Sequence, residues 1–170
     1  MISSANPITM LEDLIWFVLE SCPEWAAIVR PGNRIKLTED QSRVPARQDA
    51  DLPAAYLFHA PFQFNRVRGG QTASIEAAFS LMLQTGSKMT GSTTSATIAQ
   101  ETVNEVLWQT FRAFERYATP AVHPLGPMLQ PGTLGLTDAS SDLRQAERPG
   151  YVYVVTVGGR LIFNRSEMCA

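Results

Sequence analysis

Cysteine, histidine and lysine are all scarce in this chain of 170 residues, and each scarcity removes a class of function. Cys22 and Cys169 stand far apart, with no CxxC and no Cys/His spacing, so neither a disulfide framework nor a zinc site is expected. Only His59 and His123 are available as imidazole bases, and each is flanked by apolar residues or proline. Neither has a Ser or Cys nearby in a nucleophile motif, and no GxSxG occurs. Both histidines therefore read first as structural, with a role as base the alternative. Gly69-Gly70 and Gly158-Gly159 lack the Lys-Ser/Thr pair and the strand, turn, helix setting of a phosphate loop. Glu39-Asp40 and Asp49-Asp51 lack the ordered spacing of a calcium loop and read as solvated charge. The longest early apolar run, Leu14 to Leu19, is too short to span a bilayer and has no basic segment before it, so the expectation is a soluble, non-secreted protein. No cofactor and no metal are expected.

What remains is an ordinary globular composition with an uneven basic side. Apolar residues make up 45% of the chain, which argues for a packed core, and the length fits one domain over 1–170. The formal net charge of -2 argues against general nucleic-acid binding. Lys36 and Lys88 are the only lysines among 14 basic residues, the others being arginine. Arginine is enriched in protein contact surfaces and lysine depleted there, although GC-rich coding shifts composition the same way.

The strongest pattern is TIAQETVNEVLWQTFRAFERYA, from Thr97 to Ala118. Ala99, Val103, Val106, Thr110, Ala113, Phe114 and Tyr117 share one helical face, with Leu107 and Phe111 along its edge. Thr97 and Gln100 form a capping box, and Pro120 marks the end. Trp108 lies opposite the stripe, among Glu101, Asn104, Glu105, Arg112 and Glu115. Two things can cover it: the proline-rich stretch folding back within the monomer, or another subunit.

Before this helix, Asn6-Pro7 starts a first helix with a stripe of Ile8, Leu11, Leu14, Ile15, Val18 and Leu19. A capping box over Ser21–Glu24, with Pro23 breaking the run, makes Glu24–Val29 a short extra helix or a turn, giving a helical segment over 7–29. Trp16, Phe17 and Trp25 supply aromatic mass for the core or a contact. Arg34–Leu37 reads as a short strand, and residues 38–51 as a polar loop. Residues 54–85 read as a long β-hairpin: Tyr56, Phe58, Phe62 and Phe64 on one side of its first arm, and Ala73, Ile75, Ala77, Phe79, Leu81 and Leu83 inward on its second. Arg66 and Arg68 flank its glycine tip.

After the helix, Pro120, Pro124, Pro127 and Pro131 make 119–133 an extended connector. Thr133–Thr137 reads as a short strand and 138–150 as a polar loop. Residues 151–163 read as a terminal β-hairpin turning at Gly158-Gly159. The sum is an α+β fold: a mostly antiparallel sheet packed against one long central helix and an N-terminal helix.

The strand ASIEAAFSLMLQTG, the helix ATIAQETVNEVLWQTFRAFERYA and the late stretch GYVYVVTVGGRLIF, in this order, resemble the tail terminator or tail completion proteins of long-tailed bacteriophages. The resemblance covers roughly residues 7 to 163 and carries no diagnostic motif. It implies a virion protein of the tail and neck, assembled in the host cytoplasm, with no active site. Such a subunit forms a ring, commonly hexameric, that caps the head-proximal end of the tail tube. The implied partners are further copies of itself, the tail tube protein, a neck or connector protein and, in a contractile tail, the sheath. DNA passes through the lumen as cargo, and no membrane is involved. Trp108, Arg112, Glu105, Arg66, Arg68, Arg160 and Arg165 are the candidate contact residues. A different neck or head-tail connector, or a small α+β enzyme using His59 or His123, are the alternative readings.

Overall fold

The computed structural model describes residues 7–36, 52–59, 62–66, 72–88, 94–117, 122–145 and 150–164. Expectations that fall elsewhere, among them the loop at 38–51, the tip bearing Arg68, and Arg165, lie outside the described residues.

Two helices open the chain. Helix α1 (Pro7–Glu20) begins at the proline that its fixed φ suits to a first helical turn. Leu11, Leu14, Ile15, Val18 and Leu19 are buried along its stripe. Helix α2 (Pro23–Ile28) is not opened by a capping box at Ser21. The Ser21 hydroxyl instead donates to the Phe17 carbonyl at 2.7 Å, closing the end of α1, and Cys22 takes the N-cap position without a side-chain cap.

The strands are β1 (Arg34–Lys36), β2 (Ala54–His59), β3 (Gln63–Arg66), β4 (Thr72–Lys88), β5 (Gly135–Gln145) and β6 (Gly150–Asn164). They form one six-stranded sheet in the order β1-β2-β4-β6-β5, with β3 paired to β4 beside β2. Every pairing is antiparallel except β1 with β2. The fold is α+β, as the alternation of periods implies. Its spine is β4 against β6, in continuous register from Ser74↔Asn164 to Lys88↔Gly150.

Three expectations about strands are corrected. The terminal hairpin over 151–163 does not exist: β6 runs unbroken through Gly158-Gly159. The two glycines serve close approach instead. Gly159 sits opposite Phe79 on β4, and a Cβ there would overlap the Phe79 ring; a Cβ at Gly158 would meet the Asp138 carboxylate. Second, most of the polar stretch read as a loop is β5, which pairs with β6 from Gly135↔Arg160 to Gln145↔Tyr151. Third, the first arm of the hairpin is two strands with different facing. Tyr56 and Phe58 join Met82, Ile35 and Leu52 in a small cluster on the sheet's far side, whereas Phe62 packs against the main core. The alternation changes face between β2 and β3.

Helix α3 (Thr94–Tyr117) starts a turn earlier than the Thr97 box and spans roughly 36 Å at 1.5 Å per residue. Its buried face meets the sheet through Val103, Val106, Ala113 and Phe114, with Phe114 stacked on Phe79 at 5.5 Å between centroids. Burial of one such aromatic contributes about 1.5–3 kcal/mol, so this pair fixes where α3 lies across β4. Trp25 anchors α2 beneath it: fully buried, it lies 6.2 Å from Trp16, and the Arg34 guanidinium sits over its ring at 5.3 Å. Arg34 also pairs with Glu20 at 2.9 Å and donates to the Val29 carbonyl at 3.0 Å, joining the ends of both short helices to β1.

A candidate contact surface on α3 and β5

Trp108 is 54% exposed. The connector does not cover it in the described residues 122–133. That segment is held elsewhere, because β5 pairs with β6 only as far as Arg160 and leaves the backbone of Ile162 unpaired on that side. The Gln130 amide donates to the Ile162 carbonyl at 2.8 Å, and the Ile162 amide donates to the Thr133 hydroxyl at 3.1 Å. Leu125, Leu129 and Leu134 are buried from the same stretch, and Leu129 bridges to Phe163. The expectation of an extended connector is corrected: its described part is a run of turns with a 3-10 helix over Gly126–Met128, and it lies along the end of β6 rather than over α3.

Beside Trp108, one turn on, Phe111 is 43% exposed, and the two rings stack at 5.6 Å and 22°. Together with Leu107 they form one wall of an open groove of about 540 Å³. The other wall is Leu136 and Ala139 of β5 and Val157 of β6, with Asn104, Thr137 and Asp138 also lining it. A bulge between Leu136 and Asp138 shapes this wall. It places Thr137 out of register, where its hydroxyl donates to the Asp138 carboxylate at 2.7 Å. Beyond β5 the sheet has no further strand among the described residues, so the groove lies between an open strand edge and an uncovered helix face.

The remaining candidates do not line this groove. Glu105 accepts a bond from Gln109 at 2.6 Å, Gln109 accepts one from Arg112 at 3.0 Å, and Arg112 approaches Glu24 of α2 at 3.6 Å. This chain ties α3 to α2 and engages Arg112 within the subunit. Glu24 is held below its ordinary carboxylate range, first by a backbone hydrogen bond, then by the Cys22 thiol and the charges of Arg112 and Arg116. Arg66 is exposed on β3, at the opposite edge of the sheet. Arg160 is exposed on β6, paired with exposed Ala78 on the side away from α3.

A second cavity, about 500 Å³, is lined by Asp13, Trp16, Phe17, Glu20, Pro31, Arg34 and His123. His123 is buried, packs on Phe17 at 5.3 Å, and accepts the Leu125 amide at Nδ1 over 3.1 Å. With Nδ1 engaged as acceptor, the neutral ring carries its proton on Nε2 and offers no free basic nitrogen. Burial lowers its pKa, against an opposing pull from Asp13. This is a structural histidine closing the connector onto α1. His59 lies in β2, with its side chain outside the description. Among the described residues no cluster of His, Cys, Asp and Glu is arranged to hold a metal, and no helix is long and apolar enough to cross a membrane.

Sequence reasoning found Trp108 as an anomaly but missed Phe111, read as the edge of the stripe and in fact 43% exposed, and Phe64, grouped with Tyr56, Phe58 and Phe62 on one side of the first arm and in fact 52% exposed. The i, i+3 spacing of Trp108 and Phe111 was the available signal.

No protein-family model matches the chain, and no curated protein matches it. Among solved structures it is similar to a chain described as "Virion of native gene transfer agent (GTA) particle", with 13% identity, 89% of this chain and 94% of that chain covered, and a TM-score of 0.45.

Proposed function

We propose that this chain is a structural subunit of a phage-like virion that associates with copies of itself into a ring, hexameric in form, at the head-proximal end of a tail tube. The ring caps the tube on one face and offers the other to a neck protein, with DNA passing through its lumen. The observation that carries the self-association is the stacked Trp108–Phe111 pair beside the open β5 edge. Two large aromatics held in water on a helix otherwise well packed favour a partner that buries them. The phage setting comes from the resemblance of the β4 and α3 stretches. No catalytic role accompanies this reading: His123 is committed to the connector.

The test is the mass of the purified protein in solution, followed by imaging of its symmetry. A sixfold ring is the expected result. A twelvefold ring would move the protein to the head-tail connector, and a monomer at every concentration would overturn the ring.

A further inference from the structure

Besides Trp108 and Phe111 the described residues include a third exposed aromatic, Phe64, and it lies at the opposite edge of the same sheet. Phe64 on β3 is paired with Ile75 of β4, whose strand neighbours Ala77 and Phe79 face the helices. Phe64 therefore stands on the helix-bearing face of the sheet. The groove opens on that face too, since Ala139 is opposite Val157 and Val157 is opposite buried Leu81. A projecting ring at one edge and an apolar groove at the other make a plug and a socket on a single subunit.

We propose that the groove is filled by the β3 edge of a second copy of this chain, with Phe64 entering beside Trp108 and Phe111. The assignment rests on the ring reading above and names the contact that would build it. One contact of this kind covers both exposed patches, whereas an isologous pairing of α3 on α3 covers the groove and leaves Phe64 in water. Because plug and socket are different surfaces, each copy uses both, and the contact repeats head to tail until rotation closes it.

Charge supports the pairing. Arg66 is exposed two residues from Phe64, while Glu101, Glu105 and Glu115 are exposed on the face of α3 that carries Trp108, and Asp138 is exposed on β5. Of the basic residues beside those acids, Arg112 is engaged with Gln109 and Glu24, and exposed Arg116 also lends its charge to Glu24. A cationic edge thus approaches an acidic rim. Strand direction agrees as well. Three antiparallel steps separate β3 from β5 through β4 and β6, so β3 of a neighbour brought up by a small rotation runs antiparallel to β5.

The decisive experiment mixes two variants. Phe64→Asp removes the plug and keeps the socket; Trp108→Asp does the reverse. Each alone is expected to keep the wild-type circular dichroism and to self-associate about tenfold more weakly or worse. Mixed in equal amounts, they are expected to form a one-to-one dimer that grows no further, because the pair retains one intact plug and one intact socket in contact. Serine at either position serves the same test if the aspartate variant fails to fold. If Phe64→Asp assembles like wild type, or if the mixture stays monomeric while wild type assembles, the plug assignment is overturned and the ring reading stands. A wild-type protein that never assembles overturns the ring reading and this contact with it.

Discussion

The buried indole of Trp25 donates to the Thr110 hydroxyl at 3.0 Å, and the same hydroxyl donates to the Val106 carbonyl at 2.8 Å. Two residues 85 positions apart in sequence, one on α2 and one on α3, join those helices at one polar atom inside an apolar interface. Thr110 belongs to the apolar stripe by position, yet its hydroxyl is what makes burial of a tryptophan N–H tolerable. Thr110→Val keeps the shape and removes the acceptor, leaving the indole unsatisfied. The expected loss is about 1–3 kcal/mol, read from urea denaturation. Trp25→Phe in that background should cost less than in wild type, because the orphaned donor is gone.

Gly159 lies under the Phe79 ring, so the strand interior here depends on a missing side chain. Gly159→Val should destabilise by about 1–3 kcal/mol through overpacking, although valine favours strands. Phe79→Leu should recover part of that loss in the double variant while costing stability on its own. If Gly159→Val instead raises the melting temperature, β6 does not run under Phe79.

His123 couples stability to pH. Burial lowers its folded pKa, so the unfolded chain, with an imidazole near its ordinary value of about 6.5, binds the proton more readily. Stability from this group is fully present above about pH 6.5 and is lost as pH falls toward the lower folded value. Asp13, whose charge favours the imidazolium, works in the opposite direction, and Glu20 and Arg34 line the same cavity. His123→Asn retains an acceptor for the Leu125 amide and removes the titration. Between pH 7 and pH 5 the wild type should therefore lose more stability than the variant, measured by thermal melts in matched buffers.

These predictions rest on residues of different legibility in the sequence. The start of α1, the stripes of α1 and α3 and the alternation of β4 are local patterns, and the stripes and the alternation are set by burial of one face, whereas α3 begins a turn before the Thr97 box. Strand β5 is different. Its residues Thr137 to Ser140 are exposed, so no apolar alternation announces it, and only backbone pairing with β6 makes it a strand. Gly158-Gly159 carries the same local signal whether the chain turns or a ring from elsewhere lies on it. Only Phe79, which is distant in sequence, decides between them. At the candidate surface, Trp108 betrays itself by helical phase. Phe64 does not, because its exposure depends on where the helices stop covering the sheet.

Trp108 and Arg112 are one turn apart on the same helix, and their substitutions should part ways. Arg112→Ala breaks the link through Gln109 and the approach to Glu24, a partly exposed contact worth about 0–1 kcal/mol. It should lower stability slightly and leave self-association intact. Trp108→Ala removes an exposed ring stacked on the likewise exposed Phe111, so monomer stability should stay within about 0.5 kcal/mol. Its effect should fall on assembly, because a tryptophan at the centre of a contact typically carries 2 kcal/mol or more, roughly a thirtyfold weakening. Sedimentation velocity on both variants, beside denaturation of each, separates the outcomes. An Arg112→Ala protein that loses its oligomer while Trp108→Ala keeps it would move the interface around α3 toward α2 and away from β5.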